Sequence, residues 1–210
     1  MRRYLSLLAI PALLASGVAI AQSASDWEIG PVVRGRNYSP GMPGHLSAGR
    51  DGPQFTFPTG AREGSVHYVT LPVRSLAGAK ELRLRYRIDA APGTRFVAAE
   101  NPKAQAAITL YFQRRGDNWS GRGRFEAYRW YAAPATMMPL SPGTHEIAVP
   151  LDRSWGAVMH TTARNDPAAF QEALDDAGRV GFVFGSAGGR GHGVYATGPA
   201  RFTVLDFDIR

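Results

Sequence analysis

The sequence predicts an all-β fold, a jelly-roll β-sandwich with one short inserted helix at about 166–177. Three observations carry this. Several segments alternate apolar and polar side chains with period two, the pattern of half-buried strands. The 24 glycines and 15 prolines cluster between those segments, where the chain must turn. A single segment has helix-capping chemistry, so strands do not alternate with helices as an α/β sheet requires.

At the start of the chain, residues 1–21 place Arg2 and Arg3 before an apolar run from Leu5 to Val18 and end in "AIA". That is the layout of a secretory signal peptide, and the run is too short for a transmembrane span. Cleavage before Gln22 leaves 22 basic residues against 17 acidic ones, a net charge of +5, and all the bases except Lys80 and Lys103 are arginine. The predicted location is the periplasm or the medium, with no membrane anchor, because no cysteine exists to carry a lipid. Export argues against nucleic acid as a partner. Zero cysteine also excludes disulfide staples, so the core must suffice.

Residues 22–64 are rich in breakers and read as the loop-rich N-terminal part of one domain whose main sandwich is 65–210. "SVHYVTLPV" is a strand. "KELRLRYRID" sets Leu82, Leu84, Tyr86 and Ile88 on one face and Glu81, Arg83, Arg85 and Arg87 on the other. In "AAITLYFQRR", Ile108, Leu110 and Phe112 point inward, and Thr109, Tyr111 and Gln113 outward. The polar turn "RGDNWSGRG" leads to "GRFEAYRWYA", read as a strand with Arg124, Glu126, Tyr128 and Trp130 on one face. "THEIAVPL", "RVGFVFG" and "ARFTVLDFDI" are further strands. The last changes parity between Val204 and Phe207, which predicts either burial on both faces or a bulge. The helix is "NDPAAFQEALDDAG": Asp166 caps it, Pro167 opens it, Gly178 lies past its end, and Phe170 and Leu174 stand one turn apart.

"VGFVFGSAGGRGHGVYATG", 180–198, poses a choice between a phosphate cradle and a turn. A phosphate loop needs a helix after it, whereas the residues beyond this loop are β-branched, aromatic and interrupted by Pro199. The spacing is GxGxG rather than GxGxxG. The glycines therefore read as a tight connection between strands.

The closing stretch "RVGFVFGSAGGRGHGVYATGPARFTVLDFDIR" resembles bacterial secreted jelly-roll proteins, and is similar to galactose-binding-like and carbohydrate-binding-module sandwiches. The resemblance is best over the last 30 or so residues. It implies a jelly roll, with saccharide binding as the commonest task and a structural calcium as a frequent feature.

Residue chemistry singles out few candidate sites. Asp206 and Asp208 share one strand face and could ligate calcium, although a solvated strand edge is the simpler reading; no other cofactor is expected. The five histidines are dispersed and build no zinc pattern. No GxSxG, cysteine nucleophile or local carboxylate pair marks an enzyme. The strongest constellation is aromatic and polar. Arg83, Arg85, Tyr111, Gln113, Tyr128 and Trp130 would share one outer sheet face, with Trp119 in the preceding turn and His192 in the glycine loop. Aromatic walls with a few placed polar groups are the make-up of a ligand site. The expected function is non-catalytic binding of a polysaccharide or glycan, with the arginines favouring an acidic one. The alternatives are a β-sandwich polysaccharide hydrolase or lyase, and a periplasmic structural or interaction protein.

Overall fold

The computed structural model describes residues 23–60, 65–159 and 161–210. The expected signal peptide lies outside the described residues. Among them, two antiparallel sheets enclose one aromatic-rich core, an all-β sandwich. The larger sheet runs Glu28–Gly30, His67–Pro72, Ala177–Gly185, Ala107–Arg114, Arg129–Tyr131, Gly156–Ala157, with Met138–Pro139 also pairing with Ala107–Arg114. The smaller runs Gly143–Pro150, Glu81–Ala90, Ala200–Ile209, Gly52–Thr56, Ser47–Gly49. Strands from the breaker-rich N-terminal part thus enter both sheets.

Strand Glu81–Ala90 alternates as its sequence predicts: Leu82, Leu84 and Tyr86 are fully buried and Arg85 is exposed. The inward rings of the two sheets meet around Phe202, which stacks on Phe55 at 5.3 Å and lies 5.2 Å from Phe182. The parity change in Ala200–Ile209 is a bulge: its register against Glu81–Ala90 shifts between Val204 and Asp206. The extra residue, Leu205, lets both Val204 and Phe207 face the core. The helix is Pro167–Asp175. The Asp166 carboxylate accepts the Ala169 N–H at 3.0 Å, and Phe170, Ala173 and Leu174 are buried.

Two strand readings need correction. Ala107–Arg114 is buried on both faces, so Thr109, Tyr111 and Gln113 point outward from the sheet but not into solvent. Residues 123–132 are not one strand. Gly121 and Gly123 adopt left-handed backbone (φ +60 and +56), and Gly123–Ala127 coils as a 3-10 helix. Pairing starts only at Arg129. The 3-10 turn breaks the period of two, so side-chain parity read through it is lost.

Candidate functional site

The outer face of the larger sheet carries a second, smaller cluster of buried residues: Tyr68, Tyr111, Tyr131 and Val183. They stand on four strands. Tyr131 is opposite Tyr111 in register, and Arg129 is opposite Gln113. Tyr68 and Tyr111 stand on either side of Ala177–Gly185, and their rings meet edge to face at 4.9 Å across that strand. The Tyr68 and Tyr131 hydroxyls are hydrogen-bonded at 2.7 Å, while the buried Tyr111 hydroxyl has no partner among the described residues. Burial pushes all three phenols up from their ordinary pKa, and Arg129 only partly opposes this, so all three stay protonated at neutral pH.

Two loops wall this face. In the first, Asp117 is the organising residue. Its carboxylate accepts Gln113 Nε2 at 2.9 Å and the Trp119 N–H at 3.1 Å, and lies 3.2 Å from Arg129 Nε. Burial raises its pKa and the guanidinium pulls it back. These contacts hold Trp119 in left-handed backbone (φ +65), which costs a non-glycine residue about 1–2 kcal/mol. The reward is position. The indole meets Tyr68 edge-on at 5.1 Å, with Arg129 lying 5.0 Å over its face. A strained residue held by its surroundings is a recurrent feature of binding sites.

The second wall is the glycine loop. It joins Ala177–Gly185 to Val194–Ala196, two strands, as expected for a connection rather than a phosphate loop. Close approach explains its composition. Gly191 (φ +87) lies on the Tyr68 hydroxyl, where any Cβ would overlap the phenol. Between two glycines, Arg190 reaches over the Tyr131 ring, 4.9 Å from its centroid, and donates Nη1–H to the Ala132 carbonyl at 3.1 Å. His192 is exposed at the rim, its Nδ1 3.2 Å from Glu100.

Sheet and loops enclose a cavity of about 870 Å³, lined by Trp119, Tyr131, Tyr38, Arg129 and Arg190 together with serines, threonines and Asn118. The size is that of a small-molecule site. A second hollow of about 480 Å³ shares the Pro31, Tyr68 and Trp119 wall.

The structure disperses the predicted constellation. Trp119 and His192 line the cavity. Tyr111 and Gln113 lie beneath it, buried, Tyr111 against the Tyr131 ring and Gln113 donating to Asp117. Trp130 is a correction: it is fully buried on the inner face, opposite Phe112, 5.0 Å from Phe170, with Nε1–H donated to the Ala127 carbonyl. Its ring is closed to any ligand. Tyr128 packs against Phe125 with Arg114 over its ring, outside the cavity lining. Arg83 and Arg85 belong to the other sheet, so the proposed shared face does not exist. Asp206 and Asp208 do stand on that sheet's outer side, but in register with Arg85 and Arg83, and Asp208 accepts Arg210 at 2.8 Å. Cations of the chain itself supply the countercharge there, and no group of three or more metal-ligating side chains is found among the described residues. Sequence reasoning missed Tyr68, Asp117, Arg129, Tyr131 and Arg190. The usable signals were the alternate parity of "RWY" and a lone arginine inside a glycine loop.

Fold and site together define a β-sandwich with a walled pocket on one sheet face. No family model matches the chain, and no curated protein matches it. Among solved structures, it is similar to the solution structure of CtCBM11, at 15% identity and a TM-score of 0.44, with 93% of this chain and 97% of that chain covered.

Proposed function

We propose that this is an exported, single-domain protein that binds a saccharide, without catalysis, in the cavity between the larger sheet, the Trp119 loop and the glycine loop. The cavity itself carries the reading: about 870 Å³, aromatic on two sides, with hydroxyl and amide groups and two guanidinium groups around the rings. Sugars present apolar C–H faces to aromatic planes and hydroxyls to polar groups, which is the lining found here. Hydrolysis by the usual route needs two carboxylates facing each other across the bond. None of the described lining residues is an aspartate or glutamate, which favours binding. The export half rests on the N-terminal sequence, and mature protein should begin at Gln22.

A glycan array followed by calorimetry tests the site. Trp119→Ala should weaken the best ligand by about a kcal/mol or more, the scale of a hot-spot truncation. Because Trp119 also packs on Tyr68, a second variant is needed. Gly188→Trp places a ring at the cavity mouth, where a new Cβ meets nothing within 4 Å. It should block binding and leave the melting temperature unchanged. Wild-type affinity in both folded variants would remove the cavity from consideration, and turnover of a bound glycan would overturn the non-catalytic half.

A further inference from the structure

We propose that the cavity takes a sugar bearing a carboxylate, a uronic-acid residue, and that Arg190 is the seat of its acid group; this rests on the saccharide reading of the same pocket. The observation is a contrast among arginines. Every other described arginine that is not exposed has a carboxylate beside it. Arg83 has Glu146, Arg87 has Asp51, Arg114 has Asp176, Arg129 has Asp117 and Arg179 has Glu28. Arg190 has none among the described residues. Its contacts are one carbonyl, that of Ala132, and the face of Tyr131. A guanidinium withdrawn from water without an anion is costly, and burial pulls its pKa down accordingly.

The surrounding charges do not cancel it. Arg129 and Asp117 neutralise each other, and Glu100, 3.2 Å from His192 Nδ1 at the rim, is not among the lining residues. Among the described lining residues, one positive charge is left over, and it belongs to Arg190. Nη1 is engaged with Ala132, which fixes the plane of the group and leaves further N–H donors for a ligand. A planar fork fits a planar carboxylate through two parallel hydrogen bonds. Gly191 lets the loop backbone lie against Tyr68 of the sheet, close enough for the Arg190 side chain to reach over Tyr131, while Gly189 packs against the Glu100 carboxylate on the rim side.

The test titrates the mature protein with uronic-acid trisaccharides, the same trisaccharides with carboxyls reduced to alcohols, and sulfated neutral trisaccharides. Acidic ligands should bind roughly 10- to 100-fold tighter than their reduced forms, the range of a hydrogen bond to a charged group. That ratio should collapse in Arg190→Gln and survive in part in Arg190→Lys, which keeps the charge and loses the fork. Near-ultraviolet circular dichroism confirms that both variants are folded. Equal binding of acidic and reduced sugars would overturn the carboxylate seat and leave the saccharide reading standing, as would an unchanged ratio in folded Arg190→Gln. A preference for the sulfated sugars would also overturn the carboxylate. If no sugar binds and acetate alone shifts the Arg190 Nε–H resonance, the saccharide reading falls and the uronic-acid assignment with it.

Discussion

The outer faces of both sheets carry arginines, and those arginines end in opposite surroundings. On the smaller sheet, Arg83 pairs with Glu81 and Glu146, and Arg87 with Asp51 and Asp89, all partly in water. Such pairs contribute little to stability, because solvent screens them and long side chains lose freedom. On the larger sheet, Tyr68, Tyr111, Tyr131 and Arg129 are covered by two loops and buried. Removing water raises the strength of each hydrogen bond and the penalty of each one left unmade. The covered face therefore has to be specified group by group, as Asp117 shows by serving Gln113, Trp119 and Arg129 at once. What lies over a strand thus decides its chemistry more than its own alternation does.

The largest effect expected from this contrast is that of Trp130→Ala. Losing a fully buried ring that stacks on Phe112 and meets Phe170 edge to face should cost about 3–5 kcal/mol in urea unfolding. A loss below about 1 kcal/mol would put the indole back on a surface. Next comes Asp117→Asn, which leaves the buried Arg129 guanidinium without its anion. It should destabilise by about 3–5 kcal/mol. The matching change on the other sheet, Glu146→Gln opposite Arg83, should stay within about 0.5 kcal/mol. Similar losses from both would mean the two faces are equally solvated.

A pH series extends the contrast to His67, which lies behind the covered face. Its Nδ1 accepts the Val194 N–H at 3.0 Å, its Nε2 has no partner among the described residues, and burial lowers its pKa from 6.5 to about 4. The unfolded chain therefore takes up the proton first. Stability from this group is complete above about pH 6.5 and falls as pH drops to about 4, by about 3 kcal/mol in all. His67→Asn, whose carbonyl can still accept from Val194, should flatten the urea midpoint across that window. A slope unchanged from wild type would assign the acid sensitivity elsewhere. The smallest effect belongs to Arg85→Ala on the exposed face, within about 0.5 kcal/mol and without consequence for ligand binding. Weakened binding in that variant would reopen the smaller sheet as a site.

Much of the architecture was legible in the sequence because it depends on local period and local chemistry. Leu82 to Ile88 alternate against the arginines and pack as they alternate. Asp166, Pro167 and Phe170 specify a helix start that needs no distant partner except the core. The glycine loop was readable as a connection from the β-rich sequence after it. The site was not readable in the same way. Whether Arg85 and Tyr111 share a face depends on which sheet each strand joins, and strand pairing is a long-range choice that alternation does not encode. The parity of Trp130 turned on a 3-10 turn three residues earlier, and the burial of Tyr111 on a loop that folds back over it. Trp119 and His192 stand out in the sequence because aromatic and imidazole groups in loops are conspicuous there, and both line the cavity. Arg190 was hidden among many arginines, and only the tertiary structure separates it from the rest, because the presence or absence of a neighbouring carboxylate is a property of packed space rather than of chain order.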